Sequence, residues 1–322
     1  MEFRNDHRRV DSSGASSRLS SYKDSGADIA NALRQHGGLD VVTPTPSPDP
    51  SNDADWANTI PFASHPLQTS KKLDKVATNI KVVGQPPRLV ELYSDKNYGN
   101  EMLRAKGGFG LPSAQLILNE GELNDVLSTR QHFPVVGKPI RGRRSHGVKV
   151  CRTLRELRDH CVDLLNQRSS VIIEDYLAGT EGTVTFNHAQ GIAPYNGVVA
   201  VTQNSRLVLA EEHERDPTYG EIQSQCVAAA SLLQCTAPIR INVKRISEDE
   251  SSPFALFDVN MKPVILTRAW NMTGPGRTGR EDQASLTALA AGGLGWDYPK
   301  LLLKILESSS ALQDLRNLDL PE

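Results

Sequence analysis

The sequence lacks a strong charge imbalance, a long apolar run and a metal-type cysteine pair, and each absence argues against a class of protein. Thirty-six Lys and Arg residues against 38 Asp and Glu residues leave a net charge of -2, so no overall field favours nucleic acid or an anionic membrane. No stretch approaches the roughly 18 consecutive apolar residues of a membrane-spanning helix, and no apolar signal-peptide segment follows the N-terminal cations. We therefore expect a cytoplasmic protein that binds neither nucleic acid nor a membrane.

Cysteine is also scarce, and its spacing is uninformative about metals. The four cysteines, at positions 151, 161, 226 and 235, form neither a CxxC pair nor the Cys/His pattern of a zinc site. Unpaired cysteines of this kind are most often core residues, so we expect free, buried thiols. The composition, 38% hydrophobic and 23% charged, is typical of a folded globular protein with two or three compact units.

The front of the chain carries weak folding signals. Apolar residues around Ile29 and Leu33 indicate a helix, Asp40–Thr43 reads as a short strand, and the Pro- and Ser-rich residues 44–55 read as a surface loop. So few apolar runs provide only a small hydrophobic core, and we expect this unit to pack against the rest of the chain. The predicted parts are a disordered tail (residues 1–20), a reduced α/β domain (21–94), a first lobe (95–178) and a second lobe (179–322).

Beyond residue 95, strands and helices alternate in mixed order, which is typical of α+β lobes rather than of a doubly wound sheet. The predicted helices are Met102–Gly110, Gly121–Arg130, Thr153–Asn166, Glu221–Leu233, 282–292 and 298–309. The predicted strands are Ser113–Leu118, Phe133–Pro139, Val148–Val150, Ser170–Glu174, Thr183–Phe186, Ile239–Val243 and Phe254–Val259, and a further strand, Ile80–Val83, is predicted in the front unit.

A first candidate site follows the predicted strand that ends at Lys138 and Pro139. The next residues, Arg141–Gly147, are rich in Gly and Arg. Glycines let backbone N–H groups approach an anion, and a strand-borne Lys adds a point charge, so the segment suits a polyphosphate. The alternative is a hairpin with a solvated basic tip, since Gly-rich basic loops are common.

A second candidate is the apolar strand that runs into Glu174 and Asp175, with Glu181 after a turn. Backbone groups at such a strand end can bind a purine, and a carboxylate can bind ribose hydroxyls. The alternative is an edge strand whose charges suppress aggregation.

The third candidate combines two strands, Ile239–Val243 and Ala255–Asn260. Residues two apart on a strand share a face, so Arg240 points with Asn242, and Asp258 points with Asn260. Carboxylate and amide oxygens are ligands that magnesium takes, with phosphate and water completing the shell. The alternative is a turn cap, the commonest role of Asp-x-Asn at a strand end.

In their order along the chain, these motifs resemble the ATP-grasp superfamily, and within it the D-alanine–D-alanine ligase-like branch. The resemblance runs from Asp95-Lys96 to about residue 306. The sequence is also similar to ATP-grasp ligases of fungal biosynthesis. The resemblance implies two α+β lobes that grip ATP, with an N-terminal α/β domain that is abbreviated in this chain. It also implies a carboxylate–amine ligase that acts through an acyl phosphate. It implies ATP with Mg2+ or Mn2+, and small amino-acid-like carboxylate and amine substrates.

The resemblance also implies roles for individual residues. Arg240 would stabilise charge on the reacting acyl group. The nucleotide would contact Lys96, Lys138, Ser145, Gly147, Glu174, Asp175, Leu177, Glu181 and Phe257. The metal would bind Asp258, Asn260 and Asn242, and the substrate would contact Gly276 and Arg277.

Three features depart from the family pattern. Asn242 replaces an acidic metal ligand, residues 264–270 form an apolar and cationic insert, and the front domain is short. These departures keep a second hypothesis open, in which the chain binds a nucleotide or a partner without turnover. A third hypothesis is a binding protein unrelated to nucleotides.

Overall fold

The computed structural model describes residues 29, 32–35, 61–142, 145–186, 197–200, 206–261 and 286–321. Its helices are Pro66–Thr69 (α1), Pro87–Leu92 (α2), Lys96–Lys106 (α3), Glu120–Thr129 (α4), Leu154–Asn166 (α5), Ala210–Arg215 (α6), Thr218–Leu232 (α7), Leu286–Gly292 (α8), Tyr298–Glu307 (α9) and Leu312–Asn317 (α10), with a 3-10 turn at Lys71–Val76. Its strands are Lys81–Val82 (β1), Ala114–Ile117 (β2), Val135–Pro139 (β3), Lys149–Cys151 (β4), Val171–Asp175 (β5), Glu181–Phe186 (β6), Gly197–Ala200 (β7), Arg206–Leu207 (β8), Ile239–Arg245 (β9), Phe254–Asn260 (β10) and Ser310–Ala311 (β11).

The smaller of the two main sheets is antiparallel, with strand order β2-β5-β3-β4. Helices α4 and α5 cover one face, where Leu123 and Leu157 pack against Ile117, Val135 and Ile173 in a common core. Side chains alternate along a strand, so the neighbouring residues of β3 and β5 point to the opposite face. That second face carries Lys138 and Glu174, two of the candidate nucleotide residues.

The larger sheet is also antiparallel, with strand order β10-β9-β6-β7-β8. Helix α7 packs on one face of it, and Ile222 joins Val184, Ile241, Val243 and Leu256 in the main core. The alternate residues of β6 and β9 therefore face away from this core.

The two ends of the described chain are joined. Strand β1 pairs with β11, and Leu33 packs with Leu301 and Ile305 of helix α9. Arg316 donates hydrogen bonds to the carbonyl oxygen of Leu67 at 2.6 Å and to two further backbone carbonyls, and it pairs with Asp74 at 2.6 Å. The front residues thus pack against the C-terminal helices, as their small number of apolar residues predicts. The exact domain boundaries stay predictions.

Most predicted elements appear within a few residues of their expected bounds, but one helix start was wrong. Helix α3 begins at Lys96, six residues before the predicted start. Asp95 caps it, because its carboxylate accepts hydrogen bonds from the backbone N–H groups of Asn97 at 3.0 Å and Tyr98 at 3.1 Å. The helix ends at Lys106, just before the Gly107-Gly108 pair and four residues before the predicted bound at Gly110, and Gly107 adopts φ 74°. The predicted strand Asp40–Thr43 and loop 44–55 lie outside the described residues.

Several short elements had no sequence prediction. They are α1, α2, α6 and α10, together with the strands β7, β8 and β11. Each spans six residues or fewer, which is too short to show a helical or alternating period.

The expected state of the cysteines is confirmed, since all four are free and buried. Burial raises the pKa of the Cys161 thiol to about 12 and also raises the pKa values of Cys226 and Cys235, so these thiols are unreactive near neutral pH. Among the described helices, none is long and apolar enough to cross a bilayer.

Candidate active site

Lys138 and Glu174 form a buried ion pair on the second face of the smaller sheet. The Lys138 ammonium lies 2.7 Å from the Glu174 carboxylate, and the side chains are only 5% and 4% exposed. The same ammonium donates a hydrogen bond to the backbone carbonyl of Phe257 at 3.1 Å. Because Phe257 belongs to β10 of the larger sheet, this lysine marks the place where the two sheets meet.

Lys96 reaches the same place from the first turn of helix α3. Its ammonium pairs with Oδ1 of Asp258, the residue that follows Phe257. Its backbone N–H donates to the carbonyl of Ile140 at 2.9 Å, just beyond β3. The two predicted phosphate lysines and the predicted metal carboxylate are therefore brought together.

A β-bulge at Phe257 decides which way Asp258 points. The register between β9 and β10 shifts between Leu256 and Asp258, so that Leu256 pairs with Val243 but Asp258 pairs with Asn242. Without the extra residue, Asp258 would share the face of Leu256 and enter the apolar core. The bulge instead places Asp258 and Asn260 on the face away from the core.

That face carries two rows of polar side chains across three strands. One row runs Thr183, Asn242, Asp258, and the other runs Thr185, Arg240, Asn260. Directly opposed residues of antiparallel strands project to the same side, so the six side chains form one polar surface. The spacing of Arg240 with Asn242 and of Asp258 with Asn260 is thus confirmed, and the bulge brings the two pairs together.

In the second row, two buried donors face each other without partners. Among the described residues, the Thr185 hydroxyl and the Nε of Arg240 each lack a hydrogen-bond partner, and Thr185 is fully buried. Burial lowers the pKa of Arg240 from its ordinary value and outweighs the raising effect of Asp258. A guanidinium still keeps its charge near neutral pH. Since buried polar groups are normally paired, this arrangement suits an incoming oxyanion.

The balance of charge around Asp258 also favours an anion. Lys96, Lys138 and Arg240 are cationic, whereas Glu174 and Asp258 are the two carboxylates among these residues. The group carries one net positive charge. In a partly dry site such a charge attracts phosphate more strongly than it does in water.

The predicted purine and ribose residues line the neighbouring strand ends. Leu177 is buried, while the exposed carboxylate of Asp175 pairs with Arg130 at 2.5 Å. Glu181 begins β6 opposite Lys244, and their charged groups are 3.9 Å apart. Their roles toward a nucleotide stay predictions.

The predicted phosphate loop is held at its base by His160 of helix α5. The ring Nε2 of His160 lies 3.2 Å from the carbonyl oxygen of Gly137 and 3.0 Å from that of Gly147. Both partners are acceptors, so Nε2 carries the proton. Ser145 and Gly147 adopt positive φ values of 56° and 73°, which turn the loop back toward β4.

The donor set at Asp258 fits a hard cation. Asp258 supplies a carboxylate, and Asn260 and Asn242 have amide oxygens of the kind that Mg2+ and Mn2+ accept beside phosphate. The described residues hold no group of three or more His, Cys, Asp or Glu that could hold a metal ion. Gly276, Arg277 and the insert 264–270 lie outside the described residues.

Three residues of the site carry no sequence prediction of a role. Thr183 and Thr185 lie in a predicted strand, and their alternation on β6 signals one polar face. His160 reads in sequence as an ordinary helix residue, and only its two carbonyl partners reveal its function in the loop.

Comparison with solved structures decides the fold. The D-alanine–D-alanine ligase of Bacillus anthracis complexed with ATP superposes with a TM-score of 0.65, over 95% of this chain and 96% of that one, at 20% identity. The chain has the ATP-grasp fold. The VanG D-Ala:D-Ser ligase of Enterococcus faecalis shares the ATP-grasp fold with a TM-score of 0.55 and 17% identity, over 70% of this chain and 64% of that one.

Sequence comparison finds similarity to D-alanine–D-alanine ligases. The D-alanine–D-alanine ligase of Aquifex aeolicus is 25% identical over 213 residues, which cover 66% of this chain and 68% of that protein. The ligase of Bacillus anthracis is 27% identical over 229 residues, which cover 67% of this chain and 66% of that protein. The match to the ligase of a Marinomonas species covers 62% of that relative, so the shared part is about two thirds of these proteins. No family model matches the chain.

Proposed function

We propose that this ATP-grasp protein is an ATP-dependent ligase that joins a carboxylate to an amine through an acyl phosphate. The observation that carries the proposal is the convergence of Lys96, Lys138, Arg240 and Asp258 where the two sheets meet. The similarity to D-alanine–D-alanine ligases supports the same reaction class.

The reaction divides into two transfers. A carboxylate oxygen of the first substrate attacks the γ-phosphorus of ATP, the bond from that phosphorus to the bridging oxygen breaks, and ADP leaves. The amine of the second substrate then attacks the acyl carbon, loses a proton and displaces inorganic phosphate. Both steps move negative charge, so positioned cations supply most of the catalysis.

The residues of the site have separate tasks in this scheme. Lys138 and Lys96 bind phosphate oxygens, and the loop at Ser145 and Gly147 covers them. Arg240, with the Thr185 hydroxyl beside it, binds the oxygen of the acyl group. Asp258 and Asn260 would hold Mg2+, which neutralises charge on the phosphates when bound.

The nucleotide base and the substrates complete the proposal. Leu177, Phe257 and the backbone after Glu174 and Asp175 would bind adenine, and Glu181 the ribose. Gly276 and Arg277 would contact substrate. The substrates would be amino-acid-like, because the solved relatives are named for D-alanine and D-serine. A cytoplasmic location is proposed with this function.

The test is amino-acid-dependent release of ADP from ATP in the presence of Mg2+. D-alanine is the first probe, followed by a panel of D- and L-amino acids, each supplied both alone and in pairs. We expect at least one combination to raise ADP release above the background. No stimulation by any combination, together with a thermal shift by Mg·ADP, would instead support nucleotide binding without turnover. A saturating ligand at a hundred times its Kd adds about 2.7 kcal/mol of stability.

Arg240→Gln is the matching variant. Because Arg240 lies beside the acyl position and outside the phosphate contacts, we expect turnover to fall by about 100-fold or more while ADP affinity stays within a few fold. Arg155→Gln is the control, since this arginine is 91% exposed on helix α5. Lys138 is less suitable, because its loss would leave the buried Glu174 unpaired. The protein would then be destabilised, and this effect could not be separated from a loss of nucleotide binding.

A further inference from the structure

Both oxygens of the Asp258 carboxylate are occupied by protein donors. Oδ1 pairs with the ammonium of Lys96, and Oδ2 lies 3.3 Å from the amide nitrogen of Asn242. The side chains of Lys96 and Asp258 are only 20% and 25% exposed, so water competes weakly with their contact. A cation that approaches Asp258 in the free protein therefore meets a neutralised carboxylate.

The orientation of Asn242 is fixed from its other side. Its Oδ1 accepts a hydrogen bond from the Thr183 hydroxyl at 2.8 Å, and Thr183 is fully buried. The reversed amide would place Oδ1 against a carboxylate oxygen of Asp258, two acceptors in contact. The reversed orientation becomes favourable only when a cation lies near both the Asn242 Oδ1 and the Asp258 carboxylate oxygen.

Thr183 is suited to both orientations of the amide. Its hydroxyl lies 3.3 Å from the carbonyl oxygen of Ile241 as well as 2.8 Å from the Asn242 side chain. If the amide turned over, the hydroxyl could donate to Ile241 and accept from the Asn242 nitrogen. No buried group would then lose its partner.

We propose that Lys96 and Asn242 form a latch on Asp258, which closes the metal site of the free protein and opens when a nucleotide phosphate draws Lys96 away. Asn242 and Thr183 are positioning residues of this latch. It rests on the proposed function only for the identity of the phosphate ligand. Its consequence is a positive coupling, in which nucleotide raises metal affinity and metal raises nucleotide affinity by the same factor.

The test measures Mn2+ binding to the protein alone, by loss of the free-ion signal in electron paramagnetic resonance. Lys96→Met should raise Mn2+ affinity about tenfold, because it removes a charge-assisted contact to Asp258. Lys106→Met is the matched control, since it removes the same charge at the exposed far end of the same helix and should leave Mn2+ affinity unchanged. Lys96→Ala should behave as Lys96→Met does, which guards against one poorly folded variant.

Two further measurements test whether the ion binds at Asp258 and whether Lys96 couples ADP binding to Mn2+ binding. Asp258→Asn combined with Lys96→Met should abolish the gain in Mn2+ affinity. The factor by which ADP strengthens Mn2+ binding should be smaller in Lys96→Met than in the native protein, although ADP oxygens still bind the ion.

An unchanged or weaker Mn2+ affinity in both Lys96 variants would overturn the latch. A gain that survives the Asp258→Asn substitution would overturn it as well. These outcomes are independent of turnover, so a protein without ligase activity can still have the latch, and an active ligase can lack it.

Discussion

At the scale of single residues, the site is made of buried polar groups that differ in how well they are satisfied. Thr183 and Thr185 are both fully buried on the same face of β6. The Thr183 hydroxyl donates a hydrogen bond to Asn242, whereas the Thr185 hydroxyl has no partner in the part of the chain that the structure describes. An unpaired buried hydroxyl beside Arg240 lowers the stability of the free protein, which is typical of a group that binds a ligand.

This difference predicts opposite effects of one substitution at two neighbouring sites. Thr185→Val should raise the free energy of unfolding by about 1 kcal/mol, because it removes an unpaired buried hydroxyl. Thr183→Val should lower it by about 1–3 kcal/mol, because it leaves the Asn242 oxygen unpaired. Urea denaturation measures both. Equal destabilisation by the two variants would show that the Thr185 hydroxyl is satisfied.

At the scale of elements, helix α3 determines where Lys96 lies. Asp95 caps its first turn, and Gly107 ends it with φ 74° and ψ 167°, a backbone conformation that is essentially restricted to glycine. Gly99, in contrast, is a helical glycine whose added Cβ would be in ordinary contact with Tyr93, at 3.6 Å. The glycine within the helix and the glycine that follows it therefore have different structural roles.

A pair of alanine substitutions in helix α3 separates those reasons. Gly107→Ala should destabilise the protein by about 1–3 kcal/mol through backbone strain. Gly99→Ala should stabilise it by about 0.5–1 kcal/mol, because alanine loses less conformational freedom in a helix. Thermal or chemical unfolding checks both signs. A loss of stability in Gly99→Ala would indicate that the space beside Tyr93 is tighter than ordinary van der Waals contact.

At the scale of the whole molecule, one buried ion pair connects helix α7 to the larger sheet. Arg245, on the core face of β9, is 4% exposed and pairs with Asp216, just before the helix. The guanidinium also donates to the Ser252 carbonyl at 2.6 Å and lies 4.2 Å from the centre of the Phe254 ring. Burial disfavours the charge on Asp216, but hydrogen bonds from Thr218 and Arg245 outweigh it and lower the pKa of Asp216.

This pair predicts a pH dependence of stability. Because the pKa of Asp216 is lower in the folded state, its contribution is fully present above the unfolded value of about 3.9 and is lost as pH falls through the folded value. Asp216→Asn should lower the free energy of unfolding at pH 7 by about 3 kcal/mol, since it leaves Arg245 uncompensated. Its deficit relative to the native protein should shrink below about pH 4.

Unfolding curves at several pH values check this prediction. Asp159→Asn is the control, because that carboxylate is 65% exposed and its contact with Arg155 is 3.8 Å long. A deficit in Asp216→Asn that stays constant down to pH 3 would contradict the assignment.

The sequence by itself determined the local features of this protein. The alternation along β9 and β10, the apolar period of helix α5 and the glycines after helix α3 act over a few residues, so they predicted most elements and the α+β class. The ordered motifs also indicated the ATP-grasp fold that the solved structures bear out.

Only the tertiary structure decided which distant residues come together to form the site. Lys96 meets Asp258 across 162 positions, and Lys138 meets Phe257 across 119. No local period encodes such contacts, and a single bulged residue, Phe257, reverses the face on which Asp258 lies. Side-chain partners in three dimensions likewise distinguish Thr183 from Thr185, which are chemically identical in the sequence.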